Sequence, residues 1–226
     1  MLRILMLVSL LLAALSAQAE AENFNRIDFQ VEATRLVTND LMSATLSVTV
    51  QAPQPAQVAQ QLNTQLNAAL QRIAQYNTVK ASRSNQNSYP IYGKNNRIEA
   101  WRGVAEVRIE SRDFKAAGEL IMQLQNTMQL GDVQFSLADD SRAGIEASLM
   151  TEAIKNFQAR ADTVRQAMSA KAYKTVHLSI SNNTPPTNYP MLMRGAAMAD
   201  STIPAPAFAN GETRLSVQIN ASIEIQ

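Results

Sequence analysis

Among its 226 residues the chain has no cysteine, one histidine, one tryptophan and seven glycines, and only 17% of them are charged. Each scarcity removes a class of protein. Without cysteine there is no disulfide framework and no thiol chemistry, so stability must come from packing. A single histidine, His177, has no second imidazole to complete a metal site and no evident triad partners, and its plain reading is a surface residue of a strand. Neither a G-x-S-x-G elbow, a Walker-type loop nor a G-x-G-x-x-G turn occurs, and so few glycines leave no backbone cradle for phosphate. The basic and acidic residues nearly balance, 20 against 19, and without clustered Lys and Arg the chain is not built for nucleic acid or an anionic membrane surface.

Long apolar runs are also missing, except at the N-terminus. There Arg3 precedes the run Ile4 to Leu15, followed by Ala17-Gln18-Ala19 and the acidic Glu20. The run is too short to span a bilayer and the A-x-A ending suits signal peptidase, so residues 1–19 read as a secretory leader cleaved after Ala19. No cysteine at the junction accepts a lipid, which points to a soluble periplasmic protein. The remaining 20–226 read as a single domain.

What is present is periodicity. Ile27 to Val37 and Met42 to Val50 alternate, and Thr38-Asn39-Asp40 between them predicts an antiparallel hairpin. Pro55 opens an amphipathic helix with Val58, Leu62, Leu66, Leu70 and Ile73 on one side. Thr78 to Ser88 reads as a strand ending at a loop, Tyr89 to Gly93. Ile98 to Glu110 alternates with Trp101, Gly103, Ala105, Val107 and Ile109 inward, Gly103 admitting a large neighbour. Asp113 caps a second helix built on Phe114, Ala117, Leu120, Ile121 and Leu124, with Gly131 as its stop. A short strand spans Val133 to Leu137. The longest helix follows, its stripe running Ile145, Leu149, Ala153, Phe157, Ala161, Val164, Met168, with Asp140 or Ser141 as cap and Met42 and Met168 both placed in the core. Val176, Leu178 and Ile180 mark the next strand, and Arg214 to Ile225 the last.

Ser181 to Gly211 holds five of the eight prolines and neither period, which marks a long functional or disordered loop. Its Met191, Met193 and Met198 suit soft Cu(I) or sacrificial oxidation, against the plainer reading of flexible apolar contacts. Tyr89, Tyr92 and Trp101, with Tyr189 and Phe208 of the loop, are candidates for an interface or a ligand groove. Asp139-Asp140 has the form of a catalytic carboxylate pair, though acids before a helix are better explained as caps.

Several phrases together resemble the SIMPL-domain family: Leu46-Ser47-Val48-Thr49-Val50, the approach from Tyr92-Gly93 to Trp101, Ser111-Arg112-Asp113-Phe114, the Ala-rich helix Ile145 to Ala170, and Gly211-Glu212 before the final strand. The resemblance covers the whole chain after the leader. It implies an α+β fold, a largely antiparallel sheet carrying amphipathic helices, with one long helix before the last two strands. It also implies an exported bacterial protein of unsettled function, some relatives being described as oxidative stress defence proteins and some thought to assemble into rings or channel-like oligomers. The expectation is a non-enzymatic periplasmic protein of oxidative or envelope stress defence, a homo-oligomer or a binder of an unidentified protein partner, with no cofactor. Two alternatives stand beside it: a soft-metal or small-ligand binder using residues 181–211, and a hydrolase using Asp139 or Asp140.

Overall fold

The computed structural model of the chain describes residues 25–182 and 210–226. In chain order these form β1 (Arg26–Thr38), β2 (Leu41–Ala52), α1 (Pro55–Ile73), β3 (Val79–Tyr92), a short 3-10 turn (Lys94–Asn96), β4 (Ile98–Ser111), α2 (Phe114–Leu124), β5 (Gln129–Ser136), α3 (Asp139–Ala167), β6 (Tyr173–Asn182) and β7 (Glu212–Ile225). The strands make two sheets, β1-β7-β6 and β3-β4-β2-β5. The pairs β2·β4, β2·β5, β3·β4 and β6·β7 are antiparallel, and the longest helix precedes the last two strands, so the fold is the α+β class expected.

The described residues divide into two compact units, 34–148 with 210–216, and 25–33 with 149–182 and 217–226. In the first, α1 and α2 share one core with the four-stranded sheet. Val58, Leu62, Ala69 and Ile73 of α1 and Ala117, Leu120, Ile121 and Leu124 of α2 are buried with Leu46, Val48, Ala105, Val107 and Ile109. Burying each of the larger side chains contributes about 1.5–3 kcal/mol. Asp113 caps α2, its carboxylate accepting the Ala116 N–H at 3.0 Å. A Cβ placed on Gly103 would strike Val58 Cγ1 and lie 2.6 Å from Leu62 Cδ1, so the missing side chain is what lets α1 settle on β4.

Three expectations are corrected here. β1 and β2 do not form a hairpin: β1 pairs with β7, while β2 lies between β4 and β5. The turn residues that would have closed the hairpin bind other segments instead, as described below. Gly131 does not stop α2, which ends at Leu124; it lies inside β5 where the register slips, Thr45 facing Asp132 and Leu46 facing Leu130, so Gly131 is the extra residue of a bulge. Tyr89 to Tyr92 is not loop but the end of β3, with Pro90 opposite Trp101. β3 is an edge strand of its sheet, where a proline's missing N–H costs no ladder bond.

In the second unit α3 lies on the three-stranded sheet. Phe157 stacks on Phe29 with ring centroids 5.8 Å apart, and the Asn156 side-chain amide donates to the Glu32 carbonyl at 3.2 Å. Leu149, Ala153, Phe157 and Ala161 are buried. The expected stripe ends there: Met168, placed in the core by its spacing, is 58% exposed, whereas Met42 is 1% exposed. The helix stops one residue before Met168, and Ser169 takes a left-handed conformation (φ 53) while the Ala170 N–H reaches the Arg165 carbonyl. β6 is exposed along nearly its whole length, Val176, Leu178 and Ile180 included.

Candidate functional site

The turn between β1 and β2 is a densely bonded polar feature of the described residues. Asn39 is 7% exposed. Its backbone N–H donates to the Gly211 carbonyl at 3.1 Å, its side-chain amide donates to the Asn210 carbonyl at 3.0 Å, and its side-chain carbonyl accepts the Thr213 hydroxyl at 2.6 Å. Asp40 points toward the start of α3. It accepts the Ala138 N–H at 2.8 Å and the Ser141 hydroxyl, with Arg112 Nε at 3.9 Å; Arg112 also pairs with Asp140. The cap of α3 is therefore Asp40, a residue distant in sequence, rather than Asp140 or Ser141. Burial pushes the Asp40 carboxyl up, but the Ser141 hydroxyl, the Ala138 amide and the Arg112 charge together outweigh it, and it titrates below the ordinary 3.8.

A surface groove of about 770 Å³ adjoins this turn, lined by Leu41, Lys80, Glu110, Ser111, Arg112 and Asp113 among others. Its polar floor is already satisfied: the Ser111 hydroxyl donates to the Thr78 carbonyl at 2.7 Å and accepts the Asp113 N–H at 2.9 Å. Asp139 and Asp140 are both exposed, and Asp140 is held by Arg112, which occupies its carboxylate in an ion pair.

A second polar cluster lies on the face of the three-stranded sheet opposite Phe29. Arg26 Nη2 donates to Ser222 Oγ at 3.1 Å, Ser222 donates to Asp28, and Arg26 Nε stands 3.6 Å from Asp28. His177 is the register partner of Ser222 and borders, with Asp28, a depression of about 320 Å³. Carboxylate, hydroxyl and imidazole thus meet on one face, but in the wrong order for nucleophilic catalysis. The serine hydroxyl donates its hydrogen bond directly to the aspartate, and the imidazole does not sit between them. Nothing in the sequence pointed to this cluster, because it depends on a register of β1, β7 and β6 that their alternation leaves open.

Tyr89 and Tyr92 are 46% and 56% exposed near the end of β3, and Trp101 is half-buried against the core of its unit. Tyr89 stands opposite Arg102 and Trp101 opposite Pro90, so neighbouring register positions send the two rings to opposite faces of the sheet. Tyr189, Met191, Met193, Met198 and Phe208 lie outside the described residues, as does the leader 1–19. Among the described residues no three His, Asp or Glu side chains are placed to hold a metal ion, and no helix is long and apolar enough to cross a membrane.

In comparisons with known proteins, no curated protein matches the chain. An unknown protein from Galdieria sulphuraria, known from a crystal structure, is similar over 81% of each chain at 10% identity with a TM-score of 0.22, a likeness too slight to bear on fold or function. The model of the SIMPL family, described as a protein of unknown function (DUF541), matches residues 27–223, from the first strand to the last, and the chain belongs to that family.

Proposed function

We propose that the chain is a non-enzymatic, soluble periplasmic protein of oxidative or envelope stress defence that works by self-association or partner binding. The leader-like N-terminus supports export, and the description of some family members as oxidative stress defence proteins supports the role. One observation carries the non-enzymatic part: the side chains that chemistry would use are engaged with one another. Ser222 donates its hydrogen bond to Asp28, and Asp40 and Asp140 share Arg112. Among the described residues, Val176, Leu178 and Ile180 of β6 form an apolar row that stays open to solvent.

Light scattering on the mature chain across a wide concentration range tests the self-association. A mass above one chain that rises with concentration is expected, and a monomer throughout would overturn it. Survival of cells lacking the protein under peroxide tests the stress role, and unchanged survival would overturn that part.

A further inference from the structure

Four strands form the sheet edges among the described residues: β1 and β6 of one sheet, β3 and β5 of the other. An edge strand offers unpaired N–H and C=O groups, and natural sheets guard such edges with charge, proline, bulges or brevity. β1 carries Arg26, Asp28, Glu32 and Arg35; β3 carries Lys80 and Pro90; β5 is eight residues long, with Asp132 beside its bulge. β6 has a single full charge, Lys174, and its register slip between Thr175 and His177 leaves Leu178 onward regular. Both of those guards lie in its first half, and the apolar residues of the edge are open to solvent: Val176 is 46% exposed, Leu178 37% and Ile180 37%.

The flank of α3 completes the feature. Leu178 and Ile180 stand opposite Ala221 and Ile219, which are buried on the Phe29 side of the sheet where Phe157 of α3 packs. Asn156, bonded to Glu32, sets one flank of α3 toward β1. At about 100° per residue, the opposite flank, toward β6, carries Met150 and Ile154. They are 38% and 37% exposed. A helix about 10 Å across covers about two strands spaced roughly 4.8 Å apart, so β1 and β7 are roofed and β6 is not. The result is an apolar trough with Leu178 and Ile180 as floor, Met150 and Ile154 as wall, and an open strand edge along it.

We propose that β6 pairs antiparallel with β6 of a second copy of this chain, joining two three-stranded sheets into one of six strands. The strand's own sequence selects that occupant. A two-fold axis at Leu178 sets Leu178 against its copy and His177 against Ser179, with Val176, the residue at the register slip, beside Ile180 of the copy, so apolar meets apolar and polar meets polar. The two Lys174 charges then lie about 27 Å apart, well beyond the screening length of roughly 8 Å at physiological salt. The operation also brings Met150 and Ile154 of both helices over the paired strands. A strip roughly 34 Å long and 20 Å wide buries on the order of 700 Å² per copy, near the ~800 Å² of a stable interface.

This proposal rests on the self-association reading and adds the surface. Because the chain has no native cysteine, Leu178→Cys introduces its only thiol. On the axis, that thiol faces its copy at a separation a disulfide can close. Mild oxidation is expected to give a covalent dimer with Leu178→Cys and none with the exposed Lys174→Cys. Ile154→Lys, on the helix and outside the strand, is expected to halve the solution mass with an unchanged circular dichroism spectrum. Wild type that assembles while Ile154→Lys keeps the same mass and Leu178→Cys fails to cross-link would overturn this interface and leave self-association standing. Wild type that stays monomeric at every concentration would overturn both.

Discussion

Adding one methyl group at Gly103 tests how α1 is seated. The new carbon would overlap Val58 Cγ1 and come within 2.6 Å of Leu62 Cδ1, where carbon atoms ordinarily rest about 3.5–4.0 Å apart. Both neighbours are fully buried, so neither can swing into solvent. The helix must lift off β4 by about 1 Å or the two side chains must leave their rotamers, and such overpacking costs about 1–3 kcal/mol. Alanine returns about 0.5–1 kcal/mol by restricting the unfolded chain and suiting a strand better than glycine. Gly103→Ala is therefore expected to destabilise by about 1–2 kcal/mol. With a urea slope of about 2 kcal/mol per molar, the midpoint should fall by about 0.5–1 M. Leu62→Ala should relieve part of the clash, so the double variant should be less destabilised than the sum of the singles, by about 1 kcal/mol. A midpoint unchanged by Gly103→Ala, or strict additivity with Leu62→Ala, would refute the account.

Asp40 supplies the pH dependence. Its folded value lies below 3.8, so its contribution is complete above that pH and is lost as pH falls through the folded value; Asp40→Asn should flatten the acid limb of a stability profile measured by denaturation below about pH 4. Removing the carboxylate altogether with Asp40→Ala should cost about 1–2 kcal/mol at neutral pH, in keeping with a lost helix cap. Asp113→Ala should cost about 1 kcal/mol by freeing the Ala116 amide at the start of α2, read from the same unfolding curves. Under mild peroxide, peptide mass mapping should show sulfoxide at Met168 well before Met42, since the first is open and the second enclosed; equal rates would contradict the burial of Met42.

Most of this fold can be read from local periodicity, and apart from Met168, where the helix ends early, most failures share one cause. The α1 and α2 stripes, the alternation of β2, β4 and β7, the Asp113 cap and the role of Gly103 all follow from neighbours within a few residues. What could not be read was pairing. Thr38-Asn39-Asp40 has the composition of a hairpin turn, yet Asn39 and Asp40 spend their side chains on residues 138–141 and 210–213. Gly131 has the position of a helix stop, yet it serves a bulge whose existence depends on β2. The Arg26–Asp28–Ser222 cluster has no motif at all, because residues 26 and 222 meet only through strand register. Val176, Leu178 and Ile180 alternate as a buried strand would, and only the width of α3 over the sheet decides that they are left open.

Because Asn39 and Asp40 fasten segments far along the chain, the order in which the protein is made acquires a physical meaning. Asn39 waits for partners 171 to 174 residues further on. Closing a loop that long costs about 4–5 kcal/mol of chain entropy, and at ordinary synthesis rates the wait lasts about 10–30 s. Until residues 210–213 exist, the Asn39 side chain has water in place of the partners it bonds in the fold. A chain shortened by its last strand would lose Thr213, one of the partners of Asn39, along with that strand, so a deletion at one terminus would be felt as a loosening near the other.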